Sequence, residues 1–218
     1  MKSMFRATQV AVLLSALFGA GCTPPADTEV ALSGKVKEVV DRSKTTQATY
    51  AQYSWAEIMR KEGPVQEWGA EFHSGDKHRV ETPRDRVVAD CRAQTGIALS
   101  LDTGKIVEGA SVARAACGVN TNKAFTAIAW KGLVQTPFGV ADRVRLADKN
   151  DIRTYDISPD GVILRTTYAQ NSPDAPIGLS SEATGVFSEL PVPDIFDKAS
   201  LARSYVPDRF KTAPKPAS

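Results

Sequence analysis

Trp68-Gly69-Ala70-Glu71-Phe72-His73-Ser74-Gly75-Asp76-Lys77-His78-Arg79-Val80-Glu81-Thr82-Pro83 is the stretch on which the reading of the fold turns. Its period is two. Trp68, Ala70 and Phe72 fall on one face, with Glu67, Gly69, Glu71 and His73 on the other, which is the alternation of a strand and not of a helix. Ser74-Gly75-Asp76 is turn chemistry. Beyond it His78, Val80 and Thr82 alternate with Lys77, Arg79 and Glu81. Pro83 has no N–H to give to a ladder and stops the run. The stretch predicts a β-hairpin.

The same pattern repeats downstream. Arg86–Cys91, Ile97–Leu101, Lys105–Val107, Ala124–Gln135, Val140–Leu146, Ile152–Ile157 and Val162–Tyr168 all read as strands. Turn residues separate them, Asp102-Thr103-Gly104 and Pro137-Phe138-Gly139 among them. Ser158-Pro159-Asp160-Gly161 is the strongest hairpin turn in the chain. Asn171–Ser181 reads as loop, Gly185–Leu190 as a last strand, and Asp194–Arg203 as a short helix. Upstream, Ala48–Glu62 is ambiguous. Ala51, Tyr53 and Trp55 alternate, which favours a strand, while Ser54-Trp55-Ala56-Glu57 is also a helix-capping pattern. Glu29–Ser43 predicts a helix whose narrow apolar stripe is Val36, Val39 and Val40. Many short strands behind one helix predict a mainly β fold, an antiparallel meander. A sheet of that size must close, curl or be covered, and the N-terminal helix is its natural cover.

At this point the order of elements resembles the LolA/LolB-like lipoprotein-carrier fold. The residues most similar to it are His78-Arg79-Val80-Glu81-Thr82-Pro83, then Arg86-Val87-Val88-Ala89-Asp90, then Leu99-Ser100-Leu101-Asp102. Asp151-Ile152-Arg153-Thr154-Tyr155-Asp156-Ile157 with the Asp160-Gly161 turn is a second echo. Two departures stand out. Cys91 occupies a place where that family usually has Gly, and Ser74-Gly75-Asp76 replaces its Arg-Pro turn. The resemblance implies a strongly curved, half-open barrel whose apolar cavity receives acyl chains. Each methylene withdrawn from water is worth about 0.8 kcal/mol. Trp68, Phe72, Leu99, Leu101, Ile128 and Trp130 are the residues placed inside it. The same alternation also describes a filled core, since packed and hollow barrels share it.

The start of the chain carries its own signal. Lys2 and Arg6 precede an apolar run, Val10–Phe18, and three small residues, Gly19, Ala20 and Gly21, the layout of a secretory signal. Leu17-Phe18-Gly19-Ala20-Gly21-Cys22 resembles a bacterial lipobox, with Gly19 where Leu is usual. The resemblance implies cleavage before Cys22 and its acylation with lipid. Thr23, in place of Asp, implies delivery to the outer membrane, with the body facing the periplasm. Residues 1–21 are thus expected to be signal, 22–28 a Pro-containing tether, 29–207 the β domain and 208–218 a disordered tail. Lys2 and Arg6 account for the whole net charge of +2, so the chain from Cys22 onward is neutral and nothing points to nucleic acid. Cys22 is one of three cysteines. If it takes lipid, Cys91 and Cys117 remain as a pair in an oxidising compartment, either bridged or as two thiols. A bridge would close a loop of about 27 residues, worth about 3–4 kcal/mol in the chain-entropy model.

Reactive chemistry finds little support. His73, Asp76 and His78 are the one cluster with metal-ligating residue types, but a turn containing Gly75 is a loose support for a site that needs three ligands and outer partners. Solvent-exposed polar residues of a hairpin tip are the plainer reading. Arg79, Glu81, Arg84, Asp85 and Arg86 read as a polar strand face with cross-strand ion pairs, or as a docking surface. No nucleophile elbow, P-loop or dinucleotide fingerprint occurs. No enzyme and no cofactor is expected. Two functions remain. One is a membrane-anchored protein binding a lipid or acylated protein. The other is an envelope assembly or sensor module of the same fold with a filled core, acting on another envelope protein.

Overall fold

The computed structural model describes residues 29–60, 62–171 and 177–214. The expectations for the signal, for Cys22 and for the tether lie outside them.

One α-helix, α1 (Gly34–Thr45), precedes the sheet. It begins five residues later than the sequence suggests. Val30 is drawn instead into an isolated bridge with Phe125, its N–H donating to the Phe125 carbonyl at 2.7 Å. The strands follow: β1 (Tyr50–Arg60), β2 (Gly63–Ser74), β3 (Lys77–Glu81), β4 (Asp85–Asp90), β5 (Thr95–Ser100) and β6 (Ile106–Glu108). A short helix, α2 (Ala110–Ala116), separates them from β7 (Ala127–Thr136), β8 (Gly139–Ala147), β9 (Asp151–Ile157), β10 (Ile163–Gln170) and β11 (Ile177–Phe187). All eleven strands join one sheet in the order β6-β5-β4-β3-β2-β1-β11-β10-β9-β8-β7. Each neighbouring pair is antiparallel. The order is open, with β6 and β7 at its two edges, and the mainly β antiparallel expectation holds.

Two elements in the sheet and in the link between its edges depart from the sequence expectation. Ile177–Phe187 is a central strand where the sequence reads as loop to residue 181 and strand from 185 to 190. It is paired with β10 on one side and β1 on the other, and that double ladder overrides the weak strand propensity of its Ser and Gly. Helix α2 has no counterpart in the sequence expectation, although four of its seven residues are alanine, the best helix former.

Directly opposed residues share a face of the sheet, so the register assigns every side chain to one side. On one side, the helix face, α1 lays Val36, Val39 and Val40 on Val144, Leu146, Tyr155 and Ile157. Val39, Val40, Val144 and Ile157 have no exposed surface. Between β6 and β7 the chain must pass from one edge of the sheet to the other. It does so along this face, where α2 packs Ala113 and Cys117 on Ala89. The Cys91–Cys117 disulfide ties that link to the end of β4. Gly118, at φ +69°, then passes under the end of α1, where a Cβ would meet the Ser43 carbonyl oxygen at 2.5 Å.

On the other side, the strap face, lies the C-terminal segment. It is a strap of 3-10 turns at Pro193–Phe196, Lys198–Ala202 and Asp208–Phe210. Ile195 and Val206 are buried in it against Ala51, Tyr53, Ala70 and Phe72. The single helix expected at 194–203 is therefore two 3-10 turns. The tail expected from residue 208 is ordered at its start. Phe210 stacks on Tyr53 with ring centroids 4.0 Å apart and planes at 6°.

Candidate functional site

The register separates the apolar residues expected to line one cavity. Trp68 and Phe72 alternate with Ala70 on β2, and the pairings Ala70–Glu81–Arg86–Leu99 put Leu99 on the same side, the strap face. Leu101 lies just beyond β5 and is 37% exposed. Ile128 and Trp130 oppose Leu146 and Val144, which puts them on the helix face. Phe72 is fully buried beneath the strap, with Trp68 packed at the edge of its cluster. Ile128 packs beside the α1 cluster. Trp130 is 43% exposed, and its Nε1–H donates to Asp142 at 2.9 Å. One cavity cannot be lined from both sides of one sheet, so these residues form no common pocket.

The charged run on β3 is likewise not the solvated face that its composition suggests. Arg79 opposes Phe72 and Glu81 opposes Ala70, and neither has any exposed surface. Arg79 Nε donates to Glu81 Oε1 at 2.8 Å. Its Nη1 donates to the Ile195 carbonyl at 3.0 Å and to Ser200 Oγ at 2.6 Å. Its Nη2 donates to the carbonyls of Ser200 and Arg203 at 3.2 and 2.8 Å. Glu81 accepts from Ser204 Oγ at 2.7 Å and from the Tyr205 N–H. Arg86 Nη1 adds a bond to the Leu201 carbonyl at 3.0 Å. A strap without regular hydrogen bonding must satisfy its carbonyls somewhere. Here the arginines of β3 and β4 do it.

His73 and His78 come together, as the hairpin predicts. They oppose each other across the turn on the helix face, and their Nδ1 atoms lie 3.1 Å apart. His73 Nε2 is 3.0 Å from the Thr46 carbonyl, so that nitrogen carries a proton. Its Nδ1 then accepts from the Nδ1–H of His78. This leaves His78 Nε2 as a lone pair, buried without a hydrogen-bond partner and 3.8 Å from Glu71 Oε2. Burial, and then His73, push the His78 imidazole down to about 3. Burial lowers His73 as well, against the hydrogen bond to Thr46. Burial raises the Glu71 carboxyl to about 7, although 34% of its side chain still meets solvent. A void of about 10 Å³ lies beside these residues and the disulfide, enough for about one water. The centre is a pair of imidazoles that burial keeps neutral, beside a carboxyl that ionises near neutrality. Asp76 takes no part. It pairs with Arg92 at 3.0 Å and accepts from Gln47. Among the described residues no group of three His, Cys, Asp or Glu is placed to hold a metal ion.

Two surfaces remain open on the strap face. A cleft of about 470 Å³ lies between the strap and β4–β6, floored by Val88, Ile97 and Phe196 and rimmed by Lys77, Glu108 and Lys198. At the other end, over β8–β10, the face is polar. One row runs Arg143–Asp156–Arg165–Glu182 and the next Arg145–Thr154–Thr167. Arg143 grips Asp156 with two bonds, at 2.6 and 2.7 Å, and Arg165 lies 3.1 Å from Glu182. Lys131 and Arg145 stand exposed beside them around a hollow of about 330 Å³. Sequence reading missed this site because its residues are spread over five strands. Its one local signal is Arg143-Val144-Arg145, with basic residues at strand period.

No protein-family model matches the chain, and no curated protein matches it. Similar solved structures exist. An uncharacterized conserved protein from Thermus thermophilus is 13% identical over 78% of this chain and 94% of its own, at a TM-score of 0.50. MucB is 11% identical over 79% of this chain, at a TM-score of 0.44, and the match spans 64% of the MucB chain. A LolA superfamily protein, NE2245 from Nitrosomonas europaea, is 8% identical over 78% of this chain and all of its own, at 0.40. At 13% identity the likeness to the Thermus thermophilus protein is distant and is one of fold alone.

Proposed function

We propose that this chain is a non-enzymatic module of the bacterial cell envelope that acts through its surfaces on another envelope protein. The observation that carries this reading is the packing of α1. Val39 and Val40 sit fully buried on Val144 and Ile157, so the space between helix and sheet is filled. The division of the expected lining residues between two faces supports it too. The lipobox-like Leu17–Cys22 supports a diacylated Cys22 holding the body at the periplasmic side of the outer membrane.

The carrier reading keeps one observation in its favour. The cleft beside Val88, Ile97 and Phe196 falls in the ordinary size range of small-molecule sites, about 300–1,000 Å³. Solvent extraction of the purified body followed by mass spectrometry separates the two. The module reading expects no stoichiometric lipid, and a single co-purifying acyl species would replace it with the carrier. Metabolic labelling with a palmitate analogue tests the anchor. Label should enter the wild type and not Cys22→Ser, and label in neither would remove the anchor from the proposal.

A further inference from the structure

We infer that the open part of the strap face, over β8–β10, docks an acidic polypeptide segment of a partner protein. This rests on the surface-module reading and names the chemistry of the partner.

The molecule itself displays how this face takes a polypeptide. Over β3 and β4, Arg79 and Arg86 rise from the sheet and donate to the main-chain carbonyls of Ile195, Ser200, Leu201 and Arg203. The strap gains no strand pairing there; the arginines satisfy its carbonyls while Ile195 and Val206 pack beneath it. Over β8–β10 the same face again presents arginines, Arg143 and Arg165 on either side of Asp156 in one row and Arg145 in the next. Among the described residues no segment lies across them.

Charge distinguishes the two halves and selects the occupant. Beneath the strap, Arg79 is balanced by Glu81 of its own strand, so neutral carbonyls complete its shell. On the open half, Asp156 balances Arg143 and Glu182 balances Arg165. Lys131 and Arg145 make no ion pair among the described residues, so the occupant must bring carboxylates. The two cations without a partner, Lys131 of β7 and Arg145 of β8, stand on neighbouring strands. Carboxylates on an extended chain recur on one side about every 7 Å, so one acidic segment can reach both. Thr154 and Thr167, between the charges, offer hydroxyls to the segment's backbone.

The test uses the full chain and a fluorescently labelled Glu-Ser repeat peptide, read by anisotropy, with a Lys-Ser peptide as control. The wild type should bind the acidic peptide, and more weakly as salt rises. Lys131→Glu combined with Arg145→Glu should weaken binding by about tenfold or more at an unchanged Tm. Arg145→Gln, which removes charge but keeps bulk, covers the case in which the double reversal fails to fold. Equal binding by wild type and variants overturns the inference. So does binding of phosphatidylglycerol vesicles with the peptide left unbound, which would give this face to a membrane. A partner crosslinked in cells together with no peptide binding would overturn this inference while leaving the surface-module reading in place.

Discussion

Glu71 stands at the edge of the buried imidazole pair, and its ionisation sets a pH dependence that can be isolated. Its carboxyl is raised from 4.5 to about 7 in the folded protein. The folded chain therefore holds a proton that the unfolded chain has released, and stability falls as pH climbs from about 4.5 to about 7. The histidines act in the opposite direction. Their folded values are lowered, so their contribution is complete above 6.5 and is lost as pH falls towards the folded value of His78, about 3. Glu71→Gln removes only the first effect. Its gain over wild type is worth about 1 kcal/mol at pH 8, allowing for the partial exposure of Glu71, or about 2–4 °C in Tm for a chain of this size. At pH 4 the gain should vanish. Calorimetry at the two pH values checks this, and a gain equal at both would show that Glu71 ionises freely. The sequence carries half of this centre. The Ser74-Gly75-Asp76 turn places His73 opposite His78. Whether that face meets water or Thr46 depends on the end of α1, which no local pattern reports.

At the scale of elements, alternation locates most strands to within a few residues because period two is a local property of the chain. It does not identify covers. Arg79 and Glu81 read as solvent-facing because charge usually is. They are buried because a strap more than 110 residues downstream lies on them. The same long-range contact makes an ordered turn of Asp208–Phe210, since Phe210 has Tyr53 to stack on. Arg79→Ala should leave Glu81 buried with only the more distant Arg86, 3.8 Å away, as a cation. That loss costs about 3–5 kcal/mol for a buried pair, read by urea denaturation. The strap should also become the first site of limited proteolysis, with cuts between Leu190 and Phe210 while β7–β11 stay intact. Loss of stability without early strap cleavage would mean that the apolar contacts of Ile195 and Val206 hold the strap alone.

For the whole molecule the governing fact is an open sheet whose two edge strands, β6 and β7, are consecutive in the chain. The link between them crosses the helix face and is fixed at two points. One is the Cys91–Cys117 bond at the end of β4. The other is the passage of Gly118 against the Ser43 carbonyl, too close for any residue with a Cβ. Cysteine arithmetic points to the bond; nothing in the sequence announces the crossing, because the contacts that define it join segments far apart in the chain. Reducing the bond, or replacing both cysteines with alanine, should lower stability by about 3–4 kcal/mol through the freed unfolded chain. The effect on the folded state should be local. Hydrogen exchange should quicken in α2, at the end of β4 and around His78, which Ala89 and the link cover. The α1 cluster on β8 and β9 makes its own contacts and should keep its protection. If α1 were to lose protection in step with α2, the two fixings would be one cooperative unit, and the disulfide would hold the helix cover as well as the crossing.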